Sequence, residues 1–163
     1  MTKKEFIKQL DVYFTKRGFY YRKDHFYKEV YEDVLAVIGL QKSVYGGYGY
    51  LEYGYCFKSI NDHMPYPMFW ELNLRLFRIM TSKGQAIEYE NIDDLFMEDL
   101  EQRLDHIINN MISLSQNGPV ELIEHYRSLP DSPQTHYWVI CGEKTAKYVG
   151  LTPKDFVYHF IPE

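Results

Sequence analysis

Gln41 and Ser43 on one side of a glycine-rich turn, Glu52 on the other, and Glu71, Asn73 and Arg75 alternating along MFWELNLRLFR form the main polar set that neighbouring strands could gather on one face. An arginine among carboxylates and amides can hold an anion or a peptide bidentately. Tyr48 and Tyr50, beside the same turn, add rings that are apolar in body and polar at the tip. The competing reading is a solvated sheet face on which Glu71 and Arg75 pair weakly.

Reaction chemistry is harder to find. His25, His63, His106, His125, His136 and His159 lie scattered without HExxH or other metal-ligand spacing. Ser43 lacks the GxSxG elbow, and Cys56 sits on an expected strand with no histidine at a suggestive spacing. YGGYGYLEYG has neither the Walker lysine pattern nor a GxGxxG opening a helix, so its glycines read as turn or bulge positions. Glu88, Glu90, Asp93 and Asp94 precede a helical pattern, where they complement its dipole. No catalytic residue, metal site or cofactor is expected, and the eight residues named first are read as a binding set.

The chain has 163 residues, 45% of them hydrophobic and 25% charged, the balance of a folded protein. Its net charge of −5 disfavours nucleic acid as a partner and would suit a basic one. Sixteen tyrosines point to a partly buried surface or to a sheet with tyrosines on its outer side. Cys56 and Cys141 lie far apart without CxxC spacing and read as free thiols in a reducing compartment. Acidic and polar residues interrupt the N-terminal segment, and no run is long enough to span a bilayer. The expected setting is the cytoplasm, with no membrane partner.

The elements that must position these residues follow from periodicity. Phe6, Ile7, Leu10, Tyr13 and Phe14 predict a helix between Thr2 and Arg17, capped by Thr2 and stopped by Gly18. A hairpin is expected from Phe19 to Tyr31 with Lys23-Asp24 at its tip, then a strand from Val34 to Leu40 apolar on both faces. After Gly46-Gly47 a half-buried strand should place Leu51, Tyr53, Tyr55 and Phe57 on one face, with Tyr48, Tyr50, Glu52 and Cys56 on the other. Asn61–Pro67 reads as a loop, followed by a strand with Trp70, Leu72, Leu74 and Leu76 facing in, and a short one over Gln85–Tyr89.

From Asp93 the period changes: Leu95, Phe96, Leu100, Leu104, Ile107, Ile108, Met111 and Ile112 predict a long amphipathic helix ending at Asn117-Gly118. Pro119 should open a second helix that stops before Pro130, and DSPQT forms a loop. Residues 136–151 fit a strand and turn or a short helix. Helices are favoured there, with Thr152-Pro153 as a further start signal. The expected fold class is α+β: an antiparallel sheet of about five or six strands, an N-terminal helix and a C-terminal helical segment. Residues 1–163 are read as one domain, with a possible subdivision near residue 118.

Gly18-Phe19, Arg22-Lys23 with Phe26-Tyr27, and Leu40-Gln41-Lys42-Ser43 follow a pattern of helix, Gly-Phe, basic-aromatic hairpin and strand ending in Gln-Lys-Ser. In this the N-terminal half resembles an uncharacterised bacterial family of domains of unknown function. The resemblance implies an α+β fold and no established activity. Glu52 departs from the family's pattern, which often carries Asn two residues before the glycine corresponding to Gly54. Bacterial domains of this size and acidity include immunity proteins, an analogy of size and charge alone.

These observations make a non-catalytic module binding another protein or peptide the leading expectation. One alternative is a small-molecule enzyme using Ser43, Glu52, Glu71 and Arg75 in a pocket. The other is a self-associating protein, a homodimer paired through the strand edge near Gln85–Tyr89.

Overall fold

A computed structural model describes residues 1–84, 86–128, 143–148 and 150. The first helix, α1 (Lys3–Thr15), begins where expected because Thr2 and Glu5 form a reciprocal capping box. Gly18, at φ 80°, ends it in the left-handed region that glycine enters without steric cost. Phe6, Leu10, Tyr13 and Phe14 form its buried stripe.

Six antiparallel strands follow: β1 (Tyr20–Arg22), β2 (His25–Tyr31), β3 (Val34–Lys42), β4 (Tyr48–Phe57), β5 (Leu74–Arg78) and β6 (Ile87–Glu88). They lie in the order β1-β2-β3-β4-β5, and β6 pairs with the first residues of β4. Lys23 and Asp24 both take positive φ, forming the two-residue turn that matches strand twist. Because β3 and β4 pair in unbroken register from Val34 opposite Phe57 to Lys42 opposite Gly49, their faces are fixed. Val34, Ala36, Ile38 and Leu40 share the helix side with Leu51, Tyr53, Tyr55 and Phe57.

The helices α2 (Asp94–Ser115) and α3 (Pro119–Ser128) complete that side, and α4 (Glu143–Tyr148) lies by the end of β4. Asp93 caps α2, and Gly118, at φ 90°, separates it from α3, which starts at Pro119. Phe96, Leu100, Leu104, Ile108 and Met111 of α2 and Leu122, Ile123 and Tyr126 of α3 join the cluster formed by α1 and the sheet. Tyr13 and Arg17 both bond the Asp105 carboxylate, tying α1 to α2. These bonds hold Asp105 below the usual carboxylate range.

The expected α+β class is observed, but several element assignments change. Trp70 does not face in: its exposure is 64%. Phe69–Glu71 is a 3₁₀ turn and β5 begins only at Leu74. With three residues per turn, Phe69 and Leu72 share a side and bury together, whereas strand alternation would have put Trp70 with Leu72. Leu95 also stands outside the core, at 75% exposure, because the stripe of α2 begins one residue later at Phe96 and Met97.

The returning strand is more buried than expected: only Tyr48 is exposed along β4. The connection from Lys58 to Asn73 packs against the second face and covers Cys56 with Phe69 and Leu72. The short strand expected over Gln85–Tyr89 reduces to Ile87–Glu88, with Gln85 outside the described residues. The 136–151 segment contains the helix α4. Cys141, His136, His159, the DSPQT loop and Thr152-Pro153 lie outside the described residues. Among the described residues no helix is long and apolar enough to cross a membrane.

Candidate functional site

The face of the sheet turned away from α1 and α2 carries a row of aligned polar positions. Strand pairing places Arg22 opposite His25, His25 opposite Gly39, Gly39 opposite Glu52 and Glu52 opposite Arg78. Directly opposed residues share a face, so the row crosses all five strands from β1 to β5. The next row on the same face reads Tyr20, Tyr27, Val37, Gly54 and Arg75. A register shift between Glu52 and Gly54 offsets β5 and brings both Arg75 and Arg78 to this side.

Glycine at position 39 is a packing requirement of this row. A Cβ there would lie 2.9 Å from His25 Cδ2 and 3.0 Å from Nε2, so the imidazole occupies the space a side chain would fill. His25 Nδ1 is 2.8 Å from the carbonyl oxygen of Lys23. A carbonyl only accepts, so Nδ1 carries the hydrogen and Nε2 of the neutral ring is an acceptor. That Nε2 is buried and has no hydrogen-bond partner.

Glu52, at 9% exposure, accepts from Arg78 Nε at 3.2 Å. Burial pushes its carboxyl above the ordinary value, opposed by the Arg78 bond and by the charges of Arg78 and Arg75. Arg75 is half-buried; burial lowers its pKa while the Glu52 charge opposes that shift. Two guanidiniums lie over tyrosine rings, Arg78 over Tyr50 and Arg22 over Tyr66, each 4.0 Å from the centroid. Arg75 stands 5.9 Å from the Phe69 centroid. Tyr66 also packs edge-on against Tyr20 and Tyr27, which are stacked on each other. Tyr27 donates to Pro67 O at 3.1 Å, and burial pushes its hydroxyl up to about 12.

The eight expected binding residues divide between this face and the framework around it. Glu52 and Arg75 belong to the rows, and the pair of Gln41 and Tyr50 extends them toward the turn. Tyr48 lies on the same face at 40% exposure, opposite Glu88. Ser43 sits in the turn, where its Oγ accepts the Tyr45 N–H. Glu71 accepts the Met68 N–H at 2.7 Å and so caps its own 3₁₀ turn. Asn73 is buried: its Oδ1 accepts from Phe57 N and Asn61 Nδ2, and its Nδ2 donates to Asn61 Oδ1 and Thr145 Oγ1.

Arg22, His25, Gly39 and Arg78 of the row are not among the expected binding residues. A two-residue turn at Lys23-Asp24 forces Arg22 and His25 to pair, and a glycine inside an apolar run signals close approach of another group. Those two signals together locate three of the five residues of the row. The arrangement can hold an anion through guanidinium N–H groups and accept a hydrogen bond at His25 Nε2. The Cys56 thiol is buried and pushed up to about 11, which suits a packing residue. Among the described residues no group of three or more His, Cys, Asp or Glu side chains is placed to hold a metal ion. Two clefts of about 600 Å³ lie elsewhere, one around Asp33, Ser59 and Tyr148 and the other between α1 and α2.

No curated protein and no solved structure matches the chain significantly. The profile of one family matches residues 10–113, a span holding α1 from Leu10, the whole sheet and nearly all of α2. The chain therefore belongs to the family described as a domain of unknown function, DUF4304.

Proposed function

We propose that the protein is a non-catalytic binding module that takes a segment of another protein or peptide on the sheet face opposite the α-helices, beside the connection that covers part of it. The observation that carries this reading is the pair of guanidiniums placed over tyrosine rings on one face, beside the partly exposed Tyr20 and Tyr48. Tyrosine and arginine are the side chains most often found as interface anchors, and stacking pre-orders the guanidinium at little entropic cost. We place the module in the bacterial cytoplasm, where an immunity-like role, neutralising a toxin by covering it, fits a rigid non-catalytic surface.

Capture from bacterial lysate tests the reading, with Tyr50→Ala as the face variant and Val12→Ala on α1 as the control. A protein retained by the wild type and Val12→Ala but lost by a folded Tyr50→Ala supports it. Retention by all three chains places binding on another surface and overturns it.

Glu52 and His25 favour a second reading, a small-molecule enzyme. A carboxyl biased toward its protonated form two strands from a fixed basic nitrogen is a usable acid–base pair. Incubation with a metabolite mixture and mass spectrometry checks this, since turnover must disappear in Glu52→Gln.

A further inference from the structure

We infer that the segment taken by this face is anionic: a stretch of another protein bearing aspartate or glutamate side chains, received by Arg22 at one edge of the sheet and Arg75 at the other. The inference rests on the binding reading above and names the chemistry of its partner. It runs against the net charge of the chain, which is −5 and alone would favour a basic partner.

Two cations on this face are nonetheless left without an ion pair. Its carboxylates are already engaged: Glu52 accepts from Arg78, Glu29 from Lys58 at 2.8 Å, Glu88 from Asn91, and Glu71 from the Met68 N–H. Several long cations elsewhere have carboxylate partners, as in Lys3 with Asp24, Arg17 with Asp105, and Arg103 with Asp99. Arg22 and Arg75 make no ion pair with a carboxylate among the described residues, although the Glu52 charge reaches Arg75, and each lies near an aromatic ring. A guanidinium over a ring keeps its edge N–H groups free for a carboxylate in the plane of the fork. Arg75 is also half-buried, so a carboxylate reaching it would offset part of the hydration that burial has removed from the guanidinium.

Spacing narrows the ligand further. Arg22 and Arg75 stand on strands four positions apart, and strand spacing of about 4.8 Å puts their backbones roughly 19 Å apart. An extended chain advances about 3.4 Å per residue, so acidic side chains about five or six residues apart would meet both arginines. The rings of Tyr20, Tyr66 and Tyr50 border the path between them.

A displayed random-peptide library, selected against the full chain, tests the inference. Synthetic copies of the selected peptides are then titrated against wild type, Arg22→Gln, Arg75→Gln, Arg75→Lys and Tyr50→Ala, with each variant's fold checked by circular dichroism. The expected result is peptides rich in Asp and Glu at that spacing, with affinity falling roughly tenfold in each Gln variant, the scale of a lost charge-assisted hydrogen bond. Arg75→Lys, which keeps charge but not the fork, should fall between. Neutral or basic peptides that weaken in Tyr50→Ala but not in the Gln variants would overturn the anionic inference and leave the binding reading standing. Peptides indifferent to every face variant would overturn both.

Discussion

At the scale of the residue, the His25 ring lying where a side chain at position 39 would go makes the row sensitive to one methyl group. Gly39→Ala should cost about 1–3 kcal/mol, because the imidazole is fixed by its bond to Lys23 O and has little room to retreat. Urea unfolding measures the cost, and in a His25→Ala background it should shrink, since the two sites share one space. Glu52 gives a prediction in pH. Its carboxyl is raised by burial, so above the ordinary value of 4.5 the folded state keeps a proton that the unfolded chain has lost. Stability then falls as pH rises through that window, the reverse of a salt-bridged carboxylate with a depressed pKa. Unfolding followed from about pH 4 to 7 should show this slope in the wild type and its loss in Glu52→Gln. The position of Glu52 within the glycine-rich strand was legible from residue types, but its burial was not, because a charged side chain in an alternating strand reads as solvent-facing.

At the scale of the element, the connection from Lys58 to Asn73 decides how much of the second sheet face remains open. Asn73 holds it, accepting from Phe57 N at 2.7 Å and exchanging bonds with Asn61. Asn73→Ala leaves a buried backbone N–H without its acceptor and should destabilise by about 2–4 kcal/mol. Denaturant titration checks the loss, and amide exchange should quicken first at Phe57 and through residues 58–61. Arg75→Gln, two positions along the chain, should leave that exchange unchanged, because among the described residues no hydrogen bond joins its side chain to residues 57–61, and it lies instead near the Phe69 ring. Alternation alone assigned Asn73 and Arg75 to one side. Leu74 pairs with Tyr55 while Arg75 pairs with Gly54, and the buried Asn73 precedes the strand, so period two did not extend back to it.

At the scale of the whole molecule, sheet and helices share one core. Leu122 and Ile123 of α3 are fully buried in the same cluster as Phe6 of α1 and Tyr55 of β4, and Tyr55 lies 3.3 Å from the Tyr126 hydroxyl. Leu122→Ala should therefore cost about 2–5 kcal/mol. Helical circular dichroism and tyrosine fluorescence should lose the same amount in a single shared transition. Two separated midpoints would instead mark residue 118 as a boundary between independently folding parts.

Local chemistry and periodicity determined the elements of this protein: the Thr2–Glu5 capping box, the Lys23-Asp24 and Gly46-Gly47 turns, the face assignment of β4 and the Pro119 helix start. Each depends on residues a few positions apart, so the sequence contains the whole cause. Tertiary structure alone decided the functional face. The row from Arg22 to Arg78 joins residues up to 56 positions apart through four strand registers, one of them shifted at Gly54, and what covers the sheet depends on a connection whose Trp70 follows no strand period. Registers between distant strands are set by the summed burial of both faces, a property of the assembled sheet that no single segment carries.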